Sequence, residues 1–104
     1  MAERQLKLKT GSVNRLIKEV SSYQREAEDA KRAADKMRAE GVDPYKIKQQ
    51  DKVVQETLVM VPNTQQRLGA AVQELHDLVS AATGDLQDTE EFKQAQAALE
   101  SAAV

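Results

Sequence analysis

Apolar residues recur along this chain in alternating steps of three and four. From Val13 the stripe passes through Leu16, Val20, Tyr23, Ala27, Ala30, Ala34 and Met37. Steps of this kind place every member on one face of a helix. Sustained over several heptads, they have the form of a coiled-coil seam. Extended backwards, the stripe takes in Lys9, Leu6 and Ala2, which predicts helix 1 over about residues 4–40. Gly11 falls inside that extension at a cost of about 1 kcal/mol relative to alanine. Gly41 suits the left-handed position just beyond the helix end.

Asp43-Pro44 opens helix 2. The aspartate side chain can accept from free backbone N–H groups, and proline is harmless at the first helical position. A second stripe follows: Ile47, Asp51, Val54, Leu58, Val61, Gln65, Leu68, Val72, Leu75, Val79 and Ala82. It predicts a helix over about 44–82. Pro62 falls in its middle, but the phase continues on both sides, so a kink is expected there and not a break. Thr83-Gly84-Asp85 marks the next connection, with Asp88 as cap and Glu91 three residues on. The stripe Phe92, Ala95, Leu99, Ala102 then predicts helix 3 over about 88–102.

The expected fold is all-α, one domain over 1–104. It is an up-down-up three-helix bundle with two long antiparallel helices and a shorter third. Helix 2 would span about 58 Å and helix 3 only about 22 Å, at 1.5 Å per residue. Helix 3 therefore covers one end, where Leu6, Val13, Leu16, Ile17 and Val20 face Leu68, Ala71, Val72, Leu75, Leu78 and Val79. The opposite end carries Ala27, Ala30, Ala33 and Ala34, which suit the close approach of two helices. A three-helix body with a two-helix extension follows. On the extension, Val53, Val59 and Met60 flank the helix 2 stripe with nothing obvious to cover them. With Tyr45 they form either a helix-face docking strip or the ordinary scatter of exposed apolar side chains. A bend at Pro62 would make a shallow concave face carrying Val53 and Met60, or is strain that the helix tolerates.

Composition narrows the chemistry. The chain has no Cys, which excludes disulfides, thiolate metal sites and a cysteine nucleophile. Its single histidine, His76, has no second imidazole to form a zinc pair. Ser, His and Asp occur, but no pocket or oxyanion hole is implied, and no phosphate-binding loop is present. The chain is therefore expected to be no enzyme, with no catalytic residues, metal or cofactor. Net charge is −2, unevenly placed. Residues 74–100 carry seven acids against Lys93, while 1–20 and 31–52 each carry a surplus of three bases. The basic segments lack interleaved aromatic runs, so no nucleic-acid partner is expected. No apolar run approaches the roughly 20 residues that span a bilayer, and the acidic third helix argues against a membrane surface. The N-terminus lacks the apolar stretch of a secretory signal.

Several short motifs occur in a telling order. Leu6-Lys7-Leu8-Lys9-Thr10-Gly11 is followed by Arg15-Leu16 and Lys18-Glu19. Asp43-Pro44-Tyr45 precedes Ile47-Lys48-Gln49-Gln50. Gln55-Glu56, Met60-Val61-Pro62 and Arg67-Leu68 follow in the second helix. Together they resemble the tubulin folding cofactor A family, also called tubulin-specific chaperone A, across essentially the whole chain. The chain departs from that pattern at Thr57-Leu58, Val59 and Asn63, where the family tends to show serine-arginine, methionine and aspartate. The resemblance implies a cytoplasmic, cytoskeleton-associated chaperone, non-enzymatic and acting as a monomer. It would capture quasi-native beta-tubulin released by the cytosolic chaperonin and bind no nucleotide. Later tubulin folding cofactors would meet it only indirectly. The alternative is a generic helical adaptor or a self-associating coiled-coil protein. The candidate partner-binding residues are Tyr45, Val53, Val59, Met60, Pro62 and Arg67.

Overall fold

The computed structural model of the chain describes residues 2–103. Three α-helices run in order: α1 (Ala2–Ala39), α2 (Pro44–Ala81) and α3 (Glu90–Ala103). A 3-10 turn, Gly84–Asp88, precedes α3. No strand occurs among the described residues, and the fold is the all-α, three-helix architecture that the spacing predicts.

The helix ends follow from local chemistry. At the end of α1, the Gly41 N–H donates to the Arg38 carbonyl and the Val42 N–H to the Met37 carbonyl. This pair of bonds needs a left-handed residue at position 41, and Gly41 supplies it with φ 68°. At the start of α2, Asp43 Oδ1 accepts from the Tyr45 N–H at 3.0 Å, as expected of a cap before proline. The third helix corrects the sequence reading. Its cap is Thr89, not Asp88: Thr89 Oγ1 accepts from the Phe92 N–H at 3.2 Å. Asp88 is taken up by the preceding 3-10 turn, so α3 starts two residues later than the spacing predicts.

The chain divides into two compact units. The first comprises residues 1–18 and 65–104, and the second residues 19–64. In the first unit the beginning of α1, the end of α2 and α3 share one core. Leu6, Val13, Leu75, Ala82, Phe92, Ala95 and Ala98 are buried in it, with Ile17, Leu68, Val72, Leu78, Val79 and Leu99 partly buried around them. The alanines of α3 let that helix sit close, and Phe92 supplies the bulk. Here Ala98 is buried and Leu99 only partly so, one residue away from the predicted stripe. Lys9 pairs with Glu74 across α1 and α2.

In the second unit α1 and α2 run antiparallel. Arg38 pairs with Asp51 near the turn, Gln50 Nε2 donates to the Ala30 carbonyl at 3.0 Å, and Ala27 lies beside Val61. Ala27, Ala30 and Ala34 are buried, so the contact is between small faces.

Three threonines correct the stripes. On α1, Thr10 is 6% exposed, while Lys9 is only half-buried and Ala2 is exposed. On α2, Thr57 is half-buried where Leu58 was expected; Leu58 is 47% exposed. Thr64 is 1% exposed where Gln65 was expected, and Gln65 is exposed. For Thr57 and Thr64 the physical reason is the hydroxyl. Thr64 Oγ1 donates to the Met60 carbonyl at 2.7 Å, and Thr57 Oγ1 to the Val53 carbonyl at 2.8 Å. A threonine satisfied by its own helix has a compact, β-branched side chain that can be buried like valine. A glutamine amide or a lysine ammonium has no such local partner at that depth. α2 continues as helix through Pro62.

Candidate functional site

The candidate residues on α2 fall on more than one face. At 3.6 residues per turn, Tyr45, Gln49, Lys52, Val53 and Glu56 lie on neighbouring positions of the side that points away from α1. Tyr45, Val53 and Val59 are all exposed, Tyr45 at 66% and Val59 at 62%. Tyr45 and Val53 line one open groove with Lys48, Gln49, Lys52 and Glu56. Gln49 Nε2 donates to the Tyr45 hydroxyl at 3.2 Å, which steadies the ring along the helix. The Val53 carbonyl accepts from the Thr57 hydroxyl one turn on. This face therefore offers an aromatic ring and two β-branched side chains among two lysines and a glutamate.

Met60 corrects the expectation that it lies uncovered beside the stripe. It is half-buried, because the true stripe passes through Thr57, Val61 and Thr64 and brings Met60 to its margin. Pro62 is exposed but stands on a different flank from Val53. It lines a second open groove between α1 and α2 with Gln24, Ala27, Glu28, Leu58 and Val61. Pro62 thus does not form a common concave face with Val53, while Met60, seven residues on from Val53, shares its side of α2 but is half-buried. Arg67 is exposed and belongs to the first unit.

The spacing did not single out Lys48, Gln49, Lys52 and Glu56 beside Tyr45, nor Gln24, Glu28 and Leu58 beside Pro62. The first group was legible as the residues three, four, seven and eleven positions on from Tyr45. The second group was not, because it depends on which part of α1 comes to lie beside Pro62.

Among the described residues no cluster of three or more His, Cys, Asp or Glu side chains could hold a metal ion. No helix among them is long and apolar enough to cross a membrane. His76 is largely exposed, with Nδ1 3.9 Å from the Asp77 carboxylate. The grooves beside Tyr45 and Pro62 run along helices, are open to solvent and mix apolar side chains with polar and charged ones.

The family profile described as Tubulin binding cofactor A matches residues 1–99. The "Tubulin-specific chaperone A" of Oryctolagus cuniculus is 42% identical over 98 residues, covering 94% of this chain and 90% of that protein. The solved structure of the human tubulin chaperone cofactor A superposes with a TM-score of 0.85 at 39% identity, covering all of both chains. A further solved structure, described as a beta-tubulin binding post-chaperonin cofactor, superposes with a TM-score of 0.82 at 29% identity over 95% of this chain and 94% of that one.

Proposed function

The chain belongs to the tubulin binding cofactor A family, and on that premise we propose that it captures beta-tubulin after release from the cytosolic chaperonin and holds it until heterodimer assembly. The observation that carries the reading is the fold shared, at 29% identity, with a beta-tubulin binding post-chaperonin cofactor. The geometry supports it. An unassembled subunit exposes apolar surface that would otherwise aggregate, and a binder of the native-like form shifts that equilibrium by mass action. Tyr45, Val53 and Val59 offer an exposed apolar face on one helix, and Lys48 and Lys52 give it a partly charged margin. A helix face of this kind binds by shape and area, with no chemistry performed on the partner. In this reading the chain is a cytoplasmic, non-enzymatic monomer that meets other tubulin cofactors only through the tubulin it passes on.

The test is complex formation with purified beta-tubulin released from the heterodimer, followed as a band shift on a native gel. The parent chain should form a discrete complex. Val59→Glu places a charge at the C-terminal end of the apolar face and should weaken capture, with helix content unchanged by circular dichroism. No complex with the parent chain sinks the reading. Size exclusion with light scattering should show a monomer; self-association through the stripes would favour the coiled-coil alternative.

A further inference from the structure

The outward face of α1 over residues 4–18 is uniformly basic. Arg4, Lys7, Leu8, Gly11, Arg15 and Lys18 recur at helical spacing and so share one side of the helix, opposite the buried Leu6, Val13 and Leu16. All six are exposed, Leu8 at 60%. No acid occurs anywhere between residues 4 and 18. Glu3 and Glu19 bracket the stretch, and Glu91 of α3 lies at its edge. Farther along α1 the signs mix, with Arg25, Glu26 and Asp29 in close succession. The acids of the chain leave most of this charge unmet. Lys9, on the flank toward α2, pairs with Glu74, and Arg15 has a partner within the chain. Arg4, Lys7 and Lys18 enter no ion pair among the described residues.

The middle of the face is bare. A glycine inside a helix lowers stability relative to alanine. Nothing lies within 4 Å of where a Gly11 Cβ would stand, so no contact inside the chain requires its absence. Another backbone can therefore approach α1 at Gly11, with Leu8 beside it and bases on either side. From Arg4 to Lys18 the face runs about 21 Å, the length of roughly six extended residues. Its complement is a short stretch of chain with carboxylates toward both ends and an apolar side chain between. Single-stranded nucleic acid would ask for stacking aromatics, and this face has none. A membrane surface would ask for several large apolar anchors, and this face has one. We propose that the face receives an acidic segment of the captured subunit, its carboxylates over Arg4, Lys7, Arg15 and Lys18 and its apolar residue on Leu8. This rests on the proposed capture of beta-tubulin, and it adds an electrostatic contact to the apolar one on α2.

The experiment is a titration of released beta-tubulin with variants of the full chain. The double variant Arg4→Glu/Lys7→Glu should weaken capture by about tenfold, the scale of turning exposed attractions into repulsions. Raising the ionic strength should weaken capture by the parent more than by this variant, because salt screens the attraction that the variant has lost. Leu8→Ala should weaken capture severalfold with the melting temperature unchanged. Gly11→Ala should raise the melting temperature by about 4–8 °C and still weaken capture. Gly69→Ala, at the other helical glycine with open space around it, should raise the melting temperature and bind like the parent. Arg25→Glu/Lys31→Glu makes the same charge change in the mixed stretch of α1 and should also bind like the parent. If the Arg4/Lys7 variant, Leu8→Ala and Gly11→Ala all capture tubulin as the parent does, while Val59→Glu does not, the face is not a docking site and the capture reading stands. If the Arg25/Lys31 variant is as damaging as the Arg4/Lys7 variant, the effect is one of overall charge and the proposal fails. If light scattering shows a dimer that the Arg4/Lys7 variant abolishes, the occupant is a second copy and the proposal is overturned. Flotation of the parent with phosphatidylserine vesicles would overturn it in favour of a membrane. If the parent forms no complex with tubulin, the capture reading fails first and this proposal falls with it.

Discussion

Replacing Thr10 with valine is expected to stabilise the chain, and replacing Thr64 with valine is not. The two residues are alike in burial, at 6% and 1% exposed. They differ in what their hydroxyls meet. Thr64 Oγ1 donates to the Met60 carbonyl at 2.7 Å, whereas Thr10 Oγ1 has no hydrogen-bond partner. A buried hydroxyl left unmade costs about 1–3 kcal/mol, and a methyl group in its place gains about 0.8 kcal/mol from burial. Both residues are β-branched, so helix propensity changes little. Thr10→Val should therefore gain about 1–3 kcal/mol. For Thr64→Val the lost bond is worth a net ~0.5–1.5 kcal/mol, against a similar gain from burying the methyl. The sum should lie within about 0.5 kcal/mol of zero, the range of an ordinary neutral substitution. The measurement is urea unfolding followed by circular dichroism, with slopes compared so that midpoint shifts report stability. A rise in melting temperature of about 4–8 °C per kcal/mol should accompany the Thr10 change. A Thr10→Val variant less stable than the parent would refute the reasoning. It would mean that the hydroxyl bonds a backbone carbonyl in solution, as Thr64 does.

Other outcomes follow from the same packing. Leu75 is fully buried in the first unit's core, so Leu75→Ala should cost about 2–5 kcal/mol, while Leu8→Ala, at a residue 60% exposed, should stay within about 0.5 kcal/mol; equal losses would put the register in error. Thr89→Ala removes the cap of α3 and should cost about 0.5–2 kcal/mol by thermal unfolding, whereas Asp88→Ala should cost clearly less; the reverse order would restore Asp88 as the cap.

The candidate surface features divide in the same manner as the fold. Tyr45, Val53 and Val59 were legible as exposed because they fall off the apolar stripe, and a helix places residues by sequence distance alone. The Pro62 groove was not legible, because Gln24, Glu28 and Leu58 are brought together by the pairing of α1 with α2, and no spacing within one helix records that pairing.

The sequence by itself determined three helices, their order and most of their ends. Gly41 and Asp43-Pro44 act within a single turn, so their chemistry needs no partner helix. The stripes were also determined wherever apolar residues filled every step. Tertiary structure decided the steps between fixed points. From Leu6 to Val13 a helix passes equally well through Lys9 or Thr10. From Val54 to Val61 it passes through Thr57 or Leu58, and from Val61 to Leu68 through Thr64 or Gln65. Each choice is a three followed by a four or a four followed by a three, and periodicity does not distinguish them. Hydropathy favoured Leu58, but the structure buries Thr57 further, together with Thr10 and Thr64. Small faces in close contact have room for a threonine. Where its hydroxyl bonds its own helix, as in Thr57 and Thr64, burial exposes no unmet polar group.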